Sequence, residues 1–349
     1  MILQELSEAI GVSGNEDAVR AIILKAIEGH VTDITIDPMG NVTAIKKGTG
    51  KNRPRVMLDA HMDEIGFMVT AIGGDGLIKF TNVGGIDERM LPALRVKIGK
   101  DAVPGVIIWT PIHKSGGNNT PVKIADLRID IGGSTKDEVG GKVKVGDRIA
   151  FDSRYMEIGE KTLRGKAFDD RVGCSLLIDI LQGGPYPVDV LAAFTVQEEL
   201  GLRGAKVAAQ RLNPDVGFAL EGTTANDIPN ATAEPDDDIP PNPVCRLGDG
   251  PALTVMDSSL IVPPQLINFL RSTADKNKIP YQVKTSLGGG TDAGAIHRVN
   301  AGIPSAVISV PCRYIHAPTA YLNRDDYSNT LKLLQSVLKD IKWENVRPL

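Results

Sequence analysis

A histidine and an aspartate follow an apolar segment near residue 60 and form the pattern His-x-Asp. Residues 55–58 (Arg-Val-Met-Leu) predict a buried strand, and His61 and Asp63 come where that strand ends. Imidazole and carboxylate groups are ligands that suit zinc, cobalt or manganese. The sequence therefore predicts a metal site at the end of this strand.

Further carboxylates and a second histidine occur in similar places along the chain. Glu198 and Glu199 follow the apolar segment 191–196, Glu221 follows 216–220, and His316 follows 304–310. Asp169 precedes a predicted helix, and it is the best candidate for a shared ligand because a carboxylate can bridge two metals where a neutral imidazole cannot. Together with His61, these residues are sufficient for two divalent metals and a general base.

Each of these residues has an ordinary structural explanation when it is taken alone. An Asp-Asp pair before a helix suits an N-cap, a Glu-Glu pair is usually a solvated helix start, and a single loop histidine is usually structural. Adjacent carboxylates such as Glu198 and Glu199 repel each other in an apolar site unless cations are present. One of the two could bind metal while the other accepts a proton from water. No single residue indicates a metal site; the evidence for one is the occurrence of all these residues together.

Composition excludes several classes of protein. The chain has 349 residues, 42% hydrophobic and 23% charged, which is ordinary for one large or two smaller globular domains. No apolar run approaches the ~18 residues that a membrane span requires, and the acidic, amphipathic N-terminus is not typical of a signal peptide. A net charge of −4 argues against a nucleic-acid partner. Three scattered cysteines favour a reducing, cytoplasmic compartment.

Helix and strand patterns alternate in two separated parts of the chain. Helices are predicted within 3–29, 172–181, 205–212, 264–276 and 325–341, and strands at 33–36, 41–46, 55–60, 188–196, 216–220, 281–285 and 304–310. Residues 67–161 instead contain short strand-like runs between glycine turns. The sequence therefore predicts an α/β fold with a mixed sheet in residues 1–66 and 162–349, interrupted by an all-β, barrel-like domain at 67–161.

Several motifs in this order resemble those of a known family. The chain is similar to the tetrahedral, or glutamyl (deblocking), aminopeptidases, which are dinuclear metallopeptidases of clan MH with a phosphorylase/hydrolase-like catalytic domain. The similarity extends from end to end of the chain. The motifs that carry it are Ser13-Gly14 with Glu16, Asp37-Pro38-Met39-Gly40-Asn41, 60–66 (AHMDEIG), 165–171 (GKAFDDR), 197–204 (QEELGLRG), 289–293 (GGTDA) and 313–316 (RYIH).

The resemblance implies a role for each site residue. His61, Asp169 and Glu221 would hold one metal, and Asp169, Glu199 and His316 would hold the other, with Asp169 bridging. Glu198 would be the general base and Asp63 would orient His61. The family often has Asp where this chain has Glu221.

The resemblance also implies an activity and an assembly. The activity would be the removal of N-terminal residues from peptides, using two divalent ions (zinc, cobalt or manganese). The insert 67–161 would be a dimerisation domain, and the dimers would assemble into a homo-oligomeric dodecamer.

Other functions stay open at this point. A deacylase, a carboxypeptidase or a glycosidase could use the same scaffold, and a glycosidase could use paired carboxylates without metal. A binding protein whose metals only stabilise the fold is a further alternative. The preferred N-terminal residue is not determined, although Asp292, Arg313 and Tyr314 are candidates for contacts to it.

Overall fold

The computed structural model describes residues 2–109, 112–115, 122–228, 244–284 and 288–346. Its helices are α1 (Leu3–Glu8), α2 (Asp17–Ile27), α3 (Ile112–Ser115), α4 (Lys136–Gly140), α5 (Phe168–Gln182), α6 (Arg203–Leu212), α7 (Pro264–Lys276), α8 (Asp292–Ile296), α9 (Arg324–Asp340) and α10 (Trp343–Val346). Among the residues that the structure describes, none of these helices has the length and apolar character that a membrane span requires.

The strands form one large sheet and one closed barrel. The strands are β1 (Thr32–Ile36), β2 (Val42–Lys46), β3 (Val56–His61), β4 (Gly66–Ile72), β5 (Ile78–Val83), β6 (Arg95–Ile98), β7 (Val103–Ile107), β8 (Ile129–Asp130), β9 (Arg148–Phe151), β10 (Met156–Ile158), β11 (Thr162–Gly165), β12 (Val190–Thr195), β13 (Val216–Thr224), β14 (Ala252–Thr254), β15 (Gln282–Lys284), β16 (Ser305–Arg313) and β17 (Ala320–Asn323).

The large sheet is mixed, with four parallel strands at its centre. Its order is β1-β2-β12-β3-β13-β16-β17-β11-β10, and β14 and β15 extend from β16. The pairs β12–β3, β3–β13 and β13–β16 are parallel, whereas the outer pairs along this order are antiparallel. Because parallel strands all end at one edge of a sheet, residues that follow β3 and β12 are brought together there.

Helices cover both faces of this sheet, which explains why apolar residues occupy successive positions in its central strands. On β3, the side chains of Val56 and Leu58 pack with α5 and the other helices of the main core. Met57 lies on the opposite face, where it packs with alanines of α6 and with α8. Side chains of a strand alternate between faces, so a strand buried on both sides must be apolar at successive positions.

The barrel is formed by six antiparallel strands in the order β4-β5-β8-β7-β6-β9. Phe67, Phe80 and Phe151 meet in its core, with ring centroids 5.1 and 5.5 Å apart in edge-to-face pairs. The predicted fold class, a mixed α/β sheet with a barrel, is confirmed. Strand β10 lies within the range 67–161, yet it pairs with β11 in the large sheet. The domain boundaries stay a prediction, as does the dimerisation role of the insert.

Candidate metal centre and active site

The sheet brings most of the predicted site residues to one edge. His61 is the last residue of β3, and Glu198 and Glu199 lie in a single helical turn just after β12. Glu221 lies within β13, since that strand continues to Thr224 rather than ending at Leu220 as the sequence predicted. Asp169 lies in the first turn of α5, and His316 follows β16.

His61 faces three carboxylates with one of its ring nitrogens. Its Nε2 atom is 3.3 Å from Asp169 Oδ1, 3.8 Å from Glu221 Oε2 and 3.9 Å from Glu198 Oε2. Its Nδ1 atom is 3.1 Å from the backbone carbonyl of Asp63. Donation from Nδ1 to that carbonyl leaves the lone pair on Nε2, which is the arrangement of a histidine that binds a metal.

His316 is arranged in the same way. Its Nδ1 atom is 3.1 Å from the carbonyl oxygen of Gly85, a residue between two barrel strands. Its Nε2 atom is 3.3 Å from Glu199 Oε1 and 3.6 Å from Asp169 Oδ2. A carbonyl group between two barrel strands therefore fixes the tautomer of a histidine in the candidate site. Gly85 is a residue of this site that was not predicted from the sequence.

Asp169 lies between the two histidines. One carboxylate oxygen faces His61 and the other faces His316. Oδ1 is buried and has no hydrogen-bond partner within the described residues. An unsatisfied buried carboxylate oxygen is costly, and a bound cation would relieve that cost.

The carboxylate of Asp63 organises the turn that carries the two glutamates. It accepts hydrogen bonds from the backbone N–H groups of Glu198 and Glu199 at 3.0 and 3.2 Å, and from the Ser13 hydroxyl at 2.6 Å. Its Oδ1 atom also lies 3.3 Å from Nδ1 of His61. Asp63 thus contacts both the His61 ring and the backbone of the two glutamates, and it fixes their positions relative to each other.

Asp170, the second residue of the Asp-Asp pair that the sequence singled out with the other site residues, supports the site in a different way from Asp169. It is fully buried, and its oxygens accept from the backbone N–H groups of His61 at 3.1 Å and Gly173 at 2.9 Å. A ligand atom of Asp170 lies within 4.8 Å of ligand atoms of His61 and Glu221. Because both of its oxygens already accept from backbone amides, Asp170 is better suited to holding the end of β3 in place than to bridging.

Burial and mutual repulsion among crowded carboxylates determine the electrostatics of the site. Burial raises the pKa of Glu198 and Glu221 well above the usual range, and neighbouring carboxylates add to the effect. Burial raises the pKa of Glu199 to about 7. Burial alone would lower the pKa of His61, but hydrogen bonding to Asp169 and Asp63 raises it. Cations placed among these groups would stabilise their ionised forms.

Three backbone features hold the ligands in position. Gln197 and His316 have left-handed conformations, with φ of 56° at both, which non-glycine residues seldom adopt outside special sites. Gly222 packs against the backbone of Asp169, and a Cβ atom there would lie 3.0 Å from its Cα. A side chain at position 222 would therefore press on the start of α5, which approaches β13 closely here.

A cleft of about 720 Å³ opens over these groups. Glu198, Glu199, Glu221 and His316 line one part of it, and the segment Gly288–Gly290 lines another. A cleft of this size accommodates a peptide end rather than water alone.

The donor set fits divalent metal ions. One group of ligand atoms comes from Asp169, Glu199 and His316, and other groups combine His61 with Asp170 and Glu221 or with Glu198 and Glu199, each within 4.8 Å. Mixed imidazole and carboxylate ligands are those of zinc, cobalt and manganese sites.

Comparison with known proteins identifies the family of the chain. Residues 40–333 match the M42 glutamyl aminopeptidase family. The chain belongs to this family. M42 enzymes are peptidases of clan MH, so the resemblance to this family and the prediction of an aminopeptidase are both confirmed.

Curated M42 relatives cover nearly the whole chain. A putative aminopeptidase of Acetivibrio thermocellus is 36% identical over 340 residues, which is 95% of this chain and 96% of the relative. A glutamyl aminopeptidase of Lactococcus lactis is 32% identical, covering 99% and 97%, and a lysyl aminopeptidase of Pyrococcus furiosus is 31% identical, covering 99% of both.

Solved structures of M42-like enzymes share the fold. A TET aminopeptidase from a marine-sediment archaeon of the Thaumarchaeota has a TM-score of 0.91 at 36% identity and covers 99% of this chain and 98% of its own. The TET1 peptidase of Pyrococcus horikoshii, described as assembling into a tetrahedron or a large octahedral shell, has a TM-score of 0.84 at 31% identity and covers 97% and 98%.

Proposed function

We propose that the chain removes N-terminal residues from peptides by metal-dependent hydrolysis in which Glu198 is the general base. The observation that carries the proposal is the position of Asp169, whose two oxygens face the Nε2 atoms of two histidines. His61, Asp169 and Glu221 would hold one ion, and Asp169, Glu199 and His316 would hold the other. When bound, two divalent cations lower the pKa of a water molecule and polarise a carbonyl group.

The chain's own residues account for the proton transfers. The Glu198 carboxylate faces the cleft, and its contact to His61 Nε2 is long at 3.9 Å, whereas Glu199 approaches His316 Nε2 to 3.3 Å. Glu199 is therefore the better ligand, and Glu198 retains an oxygen that can accept a proton. Glu198 would take that proton from the attacking water and give it to the leaving amine.

The positioning residues keep this geometry fixed during the reaction. The backbone N–H groups of Glu198 and Glu199 donate hydrogen bonds to Asp63. These bonds fix the turn that carries the proposed base, Glu198, and the proposed ligand, Glu199. The Gly85 carbonyl keeps His316 in one tautomer. The two hydrogen bonds to Asp63 are partly buried, so the catalytic carboxylate does not have to reorganise at each turnover.

The proposal is tested with aminoacyl chromogenic amides, the matching N-acetylated peptides, and metal analysis. Cleavage confined to free N-termini, abolished by chelator and restored by zinc, cobalt or manganese, is expected. Glu198→Gln should retain both metals and lose about two or more orders of magnitude in kcat, the scale of a positioned acid–base group. Glu28→Gln, at an exposed helix end, is the matched control.

Two results would contradict the proposal. Wild-type turnover by a metal-loaded Glu198→Gln variant would refute the assignment of Glu198 as the general base. Chelator-insensitive activity on glycosides or acyl amides, with no peptide cleavage, would favour the alternative hydrolases instead. His61→Ala and Asp169→Ala should lose metal, and full metal content in both variants would refute the ligand assignments.

We also propose that the chain assembles into a homo-oligomer, with the dodecamer as the expected form and the barrel as the dimerisation unit. The support is the described tetrahedral assembly of a structural neighbour. Light scattering on the purified protein tests it, and a monomer at micromolar concentration would refute it. The cytoplasm remains the proposed compartment, which the three buried free cysteines support.

A further inference from the structure

Three charged side chains form a buried cluster beside the candidate metal centre. They are Glu64, Lys166 and Arg171, and at most 2% of each residue is exposed. The Lys166 Nζ atom lies 2.6 Å from both carboxylate oxygens of Glu64. The Arg171 Nη2 atom lies 3.2 Å from Oε1 of the same carboxylate. The cluster therefore keeps two cations and one anion away from solvent, with a net charge of +1.

Stability alone is a weak reason for such a cluster. Charged side chains are rarely buried in full, because removing them from water is costly. Burial lowers the pKa of Lys166 to about 8, although the Glu64 carboxylate opposes this effect. Apolar side chains of similar volume often stabilise a protein as well as a buried ion pair does. A role in positioning explains the cluster better, since ion pairs and hydrogen bonds fix directions that apolar contacts leave free.

One side of the cluster holds the segment that follows His61. Glu64 lies three residues after His61, and its carboxylate is part of the cluster. The carboxylate also accepts a hydrogen bond from the backbone N–H of Gly11 at 3.0 Å. Arg171 donates from Nε to the backbone carbonyl of Met62 at 2.8 Å. The chain is therefore tied to the cluster at two places directly after the proposed ligand His61.

The other side of the cluster spans the proposed bridging ligand. Lys166 comes three residues before Asp169, and Arg171 comes two residues after it. Both cations therefore anchor the turn that carries this carboxylate. In the candidate site, His61 Nε2 lies 3.3 Å from Asp169 Oδ1. The cluster thus joins the two backbone segments whose side chains meet there.

Backbone carbonyl groups after α1 complete the partners of the two cations. Lys166 Nζ donates to the carbonyl of Ala9 at 2.8 Å, and Arg171 Nη1 donates to the same carbonyl at 3.2 Å. Arg171 Nη2 donates to the carbonyl of Gly11 at 3.4 Å. Carbonyl groups at a helix end have no partner within the helix, so they are available to accept from cations. Movement of either cation would break several of these hydrogen bonds at once.

We propose that Lys166 is a positioning residue that, together with Glu64, sets the placement of His61 and Asp169 and thereby the affinity of the centre for its metal ions. The inference rests on the proposed function, because it requires these two residues to be metal ligands. Lys166 and Glu64 act through the backbone segments that carry the ligands. Loss of either charge leaves the remaining charges buried with an incomplete set of partners. Relaxation of the cluster would then displace both segments.

The first measurement is the affinity for Zn²⁺, obtained by competition with a chromogenic chelator. Lys166→Met removes the ammonium group and keeps a side chain of similar length. Glu64→Gln removes the carboxylate charge and keeps the shape of the side chain. Because His61 belongs to one proposed ion and Asp169 to both, we expect both dissociation constants to rise. The expected rise is about 10- to 100-fold in each variant, the scale for groups that support metal ligands.

The double variant tests whether the two residues act as a pair. If they act through one contact, Lys166→Met combined with Glu64→Gln should bind zinc little more weakly than the weaker of the two single variants. Losses that multiply in the double variant would show that the residues act independently, and the pair would be overturned.

Leu270→Ala separates positioning from a general loss of stability. Leu270 is fully buried on α7, which carries none of the cluster residues or proposed ligands. A cavity there destabilises the fold without touching the cluster. At a temperature where every variant is folded, Leu270→Ala should keep wild-type zinc affinity and the wild-type absorption spectrum of the cobalt-loaded protein. The two cluster variants should change that spectrum, and at saturating cobalt their kcat should fall more than KM changes.

The outcomes distinguish this inference from the proposed function. Wild-type zinc affinity with an unchanged cobalt spectrum in Lys166→Met and Glu64→Gln would overturn the positioning role. Equal changes in Leu270→Ala would also overturn it, because the cluster would then act on stability alone. If Lys166→Met does not fold, Glu64→Gln decides by the same criteria. A wild-type protein that binds neither zinc nor cobalt, or that cleaves no aminoacyl amide when loaded, would instead refute the proposed function.

Discussion

Replacement of Asp63 by asparagine should damage metal binding and catalysis together. The side chain keeps its size but loses its charge and gains an NH₂ group. In the native protein both carboxylate oxygens are acceptors, for Ser13 at 2.6 Å and for the N–H groups of Glu198 and Glu199 at 3.0 and 3.2 Å. The asparagine amide can accept through one oxygen only, so an NH₂ group must face a buried backbone N–H.

The cost follows from that mismatch. A buried donor without an acceptor costs about 1–3 kcal/mol, and a hydrogen bond to a charged group contributes about 1.5–3 kcal/mol. Asp63 is fully buried, so solvent does not relieve either loss. We therefore expect the free energy of unfolding to fall by about 2–4 kcal/mol. Loss of a supporting group around a metal site lowers metal affinity or activity by about 10- to 100-fold.

The assay measures metal affinity and kinetics on the same preparations. Metal affinity is obtained by competition with a chromogenic chelator, and kcat/KM is measured at saturating metal. Ser13→Ala is the graded comparison, because it removes one donor and leaves the Asp63 charge; we expect a loss of about 1 kcal/mol in stability and a smaller kinetic effect. If Asp63→Asn matches wild type in both metal affinity and kcat/KM, the positioning argument is wrong.

Two further predictions concern packing and pH. Gly222→Ala places a Cβ atom 3.0 Å from the Asp169 Cα, so we expect it to displace the proposed bridging carboxylate. Elemental analysis should then show loss of metal. Gly74→Ala is the control and should retain metal, because nothing lies within 4 Å of a Cβ atom there. Burial raises the pKa of Asp326 to about 6, so the folded state holds a proton that the unfolded state releases, and stability is lost as pH rises from about 4 to 6. The side chain of Asp326→Asn cannot titrate. We therefore expect the urea midpoint of unfolding to fall less between pH 4 and pH 7 for this variant than for the wild type. An equal change would show that Asp326 makes no such contribution.

The sequence predicted the parts of the site that depend on local patterns. An apolar run followed by His61, or by Glu198 and Glu199, indicates a buried strand and the polar residues at its end, and the sheet places both groups at one edge. Glu221 was expected beyond its strand, but the pairing of β13 with β16 continues through Thr224 and keeps it inside. Strand ends depend on the partner strand, which the sequence of one segment does not reveal.

Contacts between distant segments could not be predicted in the same way. The three specificity candidates illustrate this. Asp292 is buried and accepts from Thr195 at 2.7 Å, Arg313 pairs with Asp227, and Tyr314 stacks edge-to-face on Tyr321.

The barrel makes contacts with the proposed metal site. Its Gly85 carbonyl accepts from His316 Nδ1, and Arg148 on β9 donates from Nε to the Ser13 carbonyl at 3.0 Å. Ser13 in turn donates to Asp63, which holds the turn with the two glutamates. The two connections reach opposite ends of the proposed metal pair, one at each histidine. An insertion that served assembly alone would not require either contact. The positions of the barrel strands and of the proposed ligands are therefore coupled, and a displacement of the barrel relative to the sheet would act on both histidines at once.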